Sequence, residues 1–289
     1  GKTQLLNDIN KLIPFAVNDT FTYIEPFVGS GAVLFWILNK FQNIEKAIIN
    51  DINTDLINCY KIIKDDVGFI IKTLKEYEKQ YNSFYFESIE RKDLFYKNRN
   101  LFNQRKLNNI EQAALFIFLN KTCFNGLYRV NRNNEFNVPQ GNYKNPKICD
   151  EDNLLLVSRL LQKVEILNTD FSETIHYANN TSLFYFDPPY KPLSETSSFN
   201  SYSKNEFNDN EQIRLKIFCD KLDQLGIKWI LSNSDVKGYD PQNNFFDNLY
   251  YLYNIDRVYA NRFINSNSEK RGKLTELLIT NNGRVTNVF

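Results

Sequence analysis

Methionine is absent from this chain of 289 residues, histidine occurs once and tryptophan twice. The single histidine, His176, excludes a histidine-built metal cluster and reads as a surface or loop residue. The four cysteines, Cys59, Cys123, Cys149 and Cys219, show no C-x-x-C spacing, so they read as reduced thiols rather than as a zinc site. No run of about 18 apolar residues is present, which excludes a membrane-spanning helix. The opening segment, GKTQLLNDINKL, lacks the pattern of a secretory signal, and a cytoplasmic location is expected. A net charge of +1 carries no overall signature of a nucleic-acid binder. Glycine and proline are scarce as well, at 10 and 8 residues, which makes their clustering informative.

Two of the eight prolines are adjacent, in Asp187-Pro188-Pro189-Tyr190, at the end of the apolar run Ser182-Leu183-Phe184-Tyr185-Phe186. A strand that ends this way delivers an acid that accepts hydrogen bonds and a stiff turn without backbone donors. It also offers free carbonyls and a flat aromatic face. That set suits a planar substrate with an amino group, such as a nucleobase. The plainer alternative is a strand followed by a proline-rich turn.

Two of the ten glycines form Gly29-x-Gly31, between the apolar strand in Thr20–Gly31 (TFTYIEPFVGSG) and the helical run AVLFWILNKF. Such a turn lets a ligand approach the backbone at a helix N-terminus. A second strand, Glu45 to Asp51, follows, and Asp51 lies 51 − 31 = 20 positions after Gly31. An acid at that offset holds ribose hydroxyls. Position 34, where a dinucleotide fingerprint wants a third glycine, is Leu34. The pattern therefore points to a nucleoside cofactor and away from a dinucleotide.

In order along the chain, EPFVGSG, IINDIN, DFSE, FDPPY and ILSNSD resemble the Dam/DpnM-like class of N6-adenine-specific DNA methyltransferases. The segment KTCFNGLYRVNRNNEFNVPQGNYKNP resembles that class's target-recognition segment. The resemblance spans nearly the whole chain and implies a short stretch ahead of Gly1-Lys2. It implies an S-adenosylmethionine-dependent α/β fold, Rossmann-like with a mainly parallel sheet, and an inserted, mostly helical target-recognition domain. The expected division is residues 1–56 and 147–289 for the catalytic domain and 57–146 for the insert. Lys2 would meet the methionine carboxylate of the cofactor, and Glu25, Pro26, Phe27, Gly29 and Gly31 would line the loop beneath it. Asp51 would hold the ribose, Asp170 and Phe171 the adenine, and Asp187 would border the same site. Asp187, Pro188, Pro189 and Tyr190 would be catalytic. Phe124, Asn125, Leu127, Arg129 and Pro139 would contact DNA, with Phe124 beside a flipped base. Phe199, Tyr202 and Phe207 fall in a segment that closes over the site, with core packing as the alternative for Phe207.

The distribution of charge fits a DNA partner better than the total does. From Arg91 to Arg132 nine basic residues face two acids, a local excess of 9 − 2 = 7, with aromatics interleaved. A solvated helix face over a core is the alternative for Arg91–Lys106. A second cluster holds Arg257, Arg262, Lys270, Arg271 and Lys273. Helix-period spacing dominates 57–119, strands and helices alternate elsewhere, and Asn120–Pro146 reads as loop and hairpin.

Rival chemistries fare worse. A cytosine-C5 methyltransferase needs a Pro-Cys nucleophile, and the cysteines here follow Asn58, Thr122, Ile148 and Phe218. A protein-glutamine methyltransferase begins its tetrapeptide with asparagine. An RNA guanine methyltransferase would not carry the 187 − 31 = 156 positions between the two motifs. A non-catalytic DNA-binding protein would not need both motifs intact. The expected activity is methylation of adenine N6 in double-stranded DNA, with the target base flipped out, at GATC or another GAT-containing site. Whether a restriction endonuclease acting on the same site accompanies the protein is left open.

Overall fold

Phe21–Glu25 (β1), Ser182–Phe186 (β4) and Lys228–Ser234 (β5) are the central strands of the molecule, and every residue of β1 and β4 is buried. Their sequences are aromatic and β-branched without polar alternation, as parallel strands covered on both faces require. The computed structural model describes residues 2–193, 207–260 and 274–282. Phe199, Tyr202, Arg262, Lys270, Arg271 and Lys273 lie outside the described residues.

The chain forms two compact units. The described residues of the first are 2–52, 169–193, 207–260 and 274–282, and those of the second are 53–168. Six of the seven strands among the described residues belong to the first unit, in the order β2-β1-β4-β5-β7-β6, with β2 at Ile44–Asn50, β6 at Asn254–Ala260 and β7 at Leu274–Thr280. β1 pairs in parallel with β2 and β4, and β4 with β5, while β7 runs antiparallel to both β5 and β6. The mainly parallel α/β fold expected from the sequence is therefore present, with an antiparallel edge. Helices α1 (Leu6–Leu12), α2 (Ala32–Lys40) and α8 (Asp209–Gln224) belong to this unit. Phe184, Phe186 and Trp229 are fully buried in its core. Each contributes about 1.5–3 kcal/mol relative to exposure.

The chain leaves β1 toward β2 on one side and returns to β4 on the other. This reversal falls at the carboxyl ends of β1 and β4, the position at which open α/β sheets bind ligands.

The second unit is mostly helical: α3 (Thr54–Asp65), α4 (Val67–Ser83), α5 (Ile89–Gln104), α6 (Asn109–Thr122) and α7 (Glu151–Leu161), followed by β3 (Val164–Leu167). Three of these helices start at side chains that accept a backbone N–H: Asn53 from Leu56, Ser88 from Arg91 and Asn108 from Glu111. Helix α6 is the hub of the core, with Ala113, Ala114, Leu115, Phe118 and Leu119 buried. Between α6 and α7 an irregular hairpin is tied by bridges Cys123–Gln140 and Val130–Phe136.

This unit corrects part of the sequence-based reading of basic residues. Arg91 is buried, and its guanidinium donates to the Lys144 carbonyl at 2.9 Å, the Tyr143 carbonyl at 3.2 Å and Asn82 Oδ1 at 3.3 Å. It also lies 4.3 Å from the centre of the Tyr81 ring. Arg99 donates to the Val138 carbonyl, and Arg105 Nη2 meets Asp55 at 2.8 Å. A planar guanidinium satisfies several carbonyls at once, which is why arginine serves inside a fold where lysine does not. These three hold the unit together instead of forming a nucleic-acid surface. Lys92, Lys97, Lys106, Lys121, Arg129 and Arg132 remain exposed. All four cysteines are free and buried. Among the described residues no helix is long and apolar enough to cross a membrane, and no metal-binding cluster of acids, histidines or cysteines is present.

Candidate active site

The first unit gathers three motifs at the carboxyl ends of its strands. β1 runs into Pro26, Phe27 and the glycine turn. Gly29 and Gly31 have φ of 48° and 73°, in the left-handed region where a side chain is strained, and Gly31 caps the start of α2. A Cβ on Gly29 would meet nothing within 4 Å, so the loop is open above that position. The Gly29 N–H donates to Asp51 Oδ2 at 3.1 Å, which fixes the strand-tip acid against the loop. Asn50, which sequence reasoning passed over, stitches the ends together. Its side chain donates to the Pro26 and Thr169 carbonyls and accepts from the Thr169 N–H. Its only sequence signal was its place before Asp51 in IINDIN.

Glu25 is the last residue of β1. It is buried and accepts a 2.7 Å bond from the Tyr23 hydroxyl. Burial pushes its carboxyl well above the usual range, and the charges of Asp187 and Asp51 add to that.

Asp170 and Phe171 lie in the segment leading into a short 3-10 helix, Phe171–Tyr177. Both Asp170 oxygens are held by Arg214 of α8, at 2.8 and 2.7 Å, and one also accepts from the Ser172 N–H. The Arg214 guanidinium holds the Asp170 carboxyl well below the usual carboxylate range. The same guanidinium lies 4.1 Å from the centre of the Phe171 ring. Phe27, Phe171 and Phe207 form an aromatic trio with centroid separations of 5.3, 5.5 and 6.2 Å. Phe207 thus packs on the rings of both loops.

At the end of β4, Asp187 Oδ1 lies 3.1 Å from Lys2 Nζ and accepts a 3.2 Å bond from the Ser232 hydroxyl. Burial raises the Asp187 carboxyl above its ordinary value, and the Lys2 charge is the main opposing influence. Lys2 Nζ also meets Glu276 Oε2 at 3.0 Å and lies 4.3 Å from the centre of the Tyr190 ring. The Tyr190 hydroxyl donates to the same Glu276 oxygen at 2.8 Å. Among the described residues no donor reaches the Pro188 carbonyl. The next carbonyl, that of Pro189, accepts from Gln212 of α8 at 3.1 Å. Gln212 in turn accepts from Asn233, whose own oxygen takes the Lys191 N–H. Glu276, Gln212 and Arg214 were not anticipated, and Asn233 had no assigned role. Glu276 is the only acid in β7, a weak signal, while Gln212 and Arg214 look like ordinary helix residues.

In the second unit the five residues expected at DNA sit on one loop system. Phe124 and Leu127 are exposed, unusual for large apolar side chains, and Asn125 and Gly126 both take left-handed backbone. The Phe124 N–H donates to the Pro139 carbonyl at 2.9 Å, so the two strands of the loop arrive together. Arg129 is exposed on the adjoining hairpin and its Nε donates to Asn137 Oδ1 at 2.7 Å.

A glycine turn at a strand end, an acid at the next strand tip and an acid–proline–proline–tyrosine turn thus lie at the carboxyl ends of neighbouring strands of the first unit. Comparison with known proteins identifies the family. Residues 1–264 match the family described as D12 class N6 adenine-specific DNA methyltransferase. Over 286 residues the chain is 50% identical to the type II methyltransferase M.MjaIII of Methanocaldococcus jannaschii, spanning 97% of this chain and 96% of that protein. It is 37% identical to the type II methyltransferase M1.LlaDCHI of Lactococcus lactis subsp. cremoris, over 98% of this chain and 93% of that one. It is 36% identical to the DNA adenine methylase of Haemophilus influenzae, over 96% and 90%. The chain belongs to the D12 class of N6 adenine-specific DNA methyltransferases.

Proposed function

We propose that this enzyme transfers a methyl group from S-adenosylmethionine to the exocyclic amino nitrogen of an adenine in duplex DNA, at GATC or another GAT-containing site. The supporting observation is the placement of Asp187 and Tyr190 at the end of β4, across the switch point from the Gly29–Gly31 turn. The residues fit the cofactor: the space above Gly29 is open, Asp51 stands at the adjoining strand tip, and the Phe27 and Phe171 rings pack together with their centroids 5.3 Å apart. Asp51 would hold the ribose, Asp170 and Phe171 the adenine, and Lys2 the methionine carboxylate. When bound, the cofactor supplies a methyl already activated by its sulfonium.

The protein's part is positioning. The lone pair of an adenine amino nitrogen is delocalised into the ring. Accepting both of its hydrogens, on Asp187 and the Pro188 carbonyl, favours a pyramidal and more nucleophilic nitrogen. Tyr190 stacks on the base. A base inside a duplex presents neither its face nor its amino hydrogens, so it must be extruded first. Phe124, exposed on its own loop, would fill the gap it leaves. We read 57–146 as the target-recognition part and the flanking 1–56 and 147–289 as catalytic. The decisive experiment is sequencing of methylated adenines in DNA from a methylation-free host expressing the protein. Modification at no adenine would end the reading.

Two further expectations follow from the site. Asp187 is the stronger acceptor when ionised. Because burial raises its pKa, turnover should fall on acidification at a higher pH than for an exposed carboxylate. Lys2→Gln removes the main charge opposing that rise, so the acid limb should move to still higher pH. The check is kcat against pH at saturating cofactor, and an unmoved limb would separate Lys2 from Asp187. Second, Arg129→Ala should cost about 1–3 kcal/mol on the cognate site and relax discrimination at one base pair. Lys97→Ala should weaken all sequences alike or do nothing. Methylation rates on duplexes varied one base pair at a time decide this. A uniform loss for Arg129→Ala makes it a phosphate or structural residue.

A further inference from the structure

We infer that Glu276 is a positioning residue of the active site, acting through the Tyr190 hydroxyl to fix the ring on which the target base stacks. The inference rests on the reading of Asp187–Tyr190 as the base-binding turn. Tyr190 follows two prolines and is not part of any strand or helix, so its backbone alone does not set the plane of its ring. The ring is anchored at its far end instead, by the 2.8 Å bond from its hydroxyl to Glu276 Oε2. Glu276 is rigidly placed: it sits in β7, paired with Ser234 of β5 on one side and Val258 of β6 on the other, and is 9% exposed. A carboxylate this buried is costly unless it is paired. Lys2 Nζ, 3.0 Å from the same oxygen, supplies the pairing, and that oxygen accepts from the phenol at the same time. The antiparallel strand β7, added at the side of the parallel sheet, thereby reaches the catalytic turn with one side chain.

Stacking as such needs only the aromatic ring. If the hydroxyl were idle, Tyr190→Phe would be nearly silent. The anchored ring predicts otherwise. Glu276→Ala and Tyr190→Phe should each lower kcat by on the order of 10- to 100-fold, the range in which small misplacements act, with KM for duplex DNA within about twofold of normal. Glu276→Gln should recover most of the loss, because its amide oxygen still accepts from the phenol. The double variant Glu276→Ala with Tyr190→Phe should be no worse than the poorer single variant, since both break one bond.

Losses that multiply in the double variant overturn the inference, as do a Tyr190→Phe enzyme of normal turnover and a Glu276→Gln enzyme as poor as Glu276→Ala. Should Glu276→Ala fail to fold by circular dichroism, Tyr190→Phe and Glu276→Gln carry the test alone, since neither removes a charge pair and a strand side chain together. Wild-type protein assayed alongside separates the two claims. Adenine methylation with multiplying losses removes only the role of Glu276, whereas wild-type protein that methylates no adenine removes the functional reading and this role with it.

Discussion

Asp187→Ala should lower methyl transfer to duplex DNA on the order of 100-fold or more while leaving the protein folded. The loss falls on the chemical step, because the carboxylate's hydrogen bond to the amino group strengthens as the nitrogen becomes pyramidal. The fold should tolerate the change because the two partners of Asp187 keep others: Lys2 retains Glu276 at 3.0 Å and Ser232 retains Tyr185 at 3.0 Å. The direction of the stability effect follows from the pKa. A carboxyl whose folded value is raised disfavours folding once it is ionised, so above that pH the alanine variant should melt no lower than wild type. Single-turnover methylation together with thermal unfolding reads both. Near-normal turnover would sink the catalytic assignment, whatever the melting temperature.

Asp51→Ala should weaken S-adenosylmethionine binding by on the order of 10- to 100-fold, the usual worth of a hydrogen bond to a charged group. Two effects combine. The acid that would hold the ribose is lost, and so is the acceptor that ties the Gly29 N–H at 3.1 Å. DNA affinity measured without cofactor should be unchanged. Calorimetry with S-adenosylmethionine is the direct check, and unchanged affinity refutes the ribose role. Binding of NADH or FAD instead would overturn the reading of the whole glycine turn.

What was legible in the sequence was whatever local physics imposes. The runs FTYIE and SLFYF could only be buried strands, and the glycine pair with Asp51 marked the loop between the first two. Strand β6 was missed. Its sequence, NIDRVYA, breaks the strand alternation at Asp256-Arg257 and again at Val258-Tyr259-Ala260, and reads too weakly for assignment. Of the candidate site, the groups at strand ends were visible, because function there requires unusual residues. The supports were not. Gln212, Arg214 and Glu276 act through distances set by tertiary packing, and beyond the lone acid in β7 nothing in the sequence distinguishes them beforehand. Arg91 failed in the opposite direction. Charge density implied a surface, whereas a long guanidinium stem over Tyr81 places it inside.

Helix α8 has a mechanical consequence. Gln212 grips the turn that follows β4, and Arg214, two positions on and so about 200° around the axis, grips Asp170 on another segment. The first two turns of one helix are therefore a yoke between the segment assigned to the cofactor's adenine and the turn assigned to the target base. Neither half can shift along the sheet without dragging the other. Substitutions that loosen the seating of α8, such as shortening its buried Leu215, should degrade cofactor affinity and turnover in step, so neither constant could then be ascribed to its own half of the site.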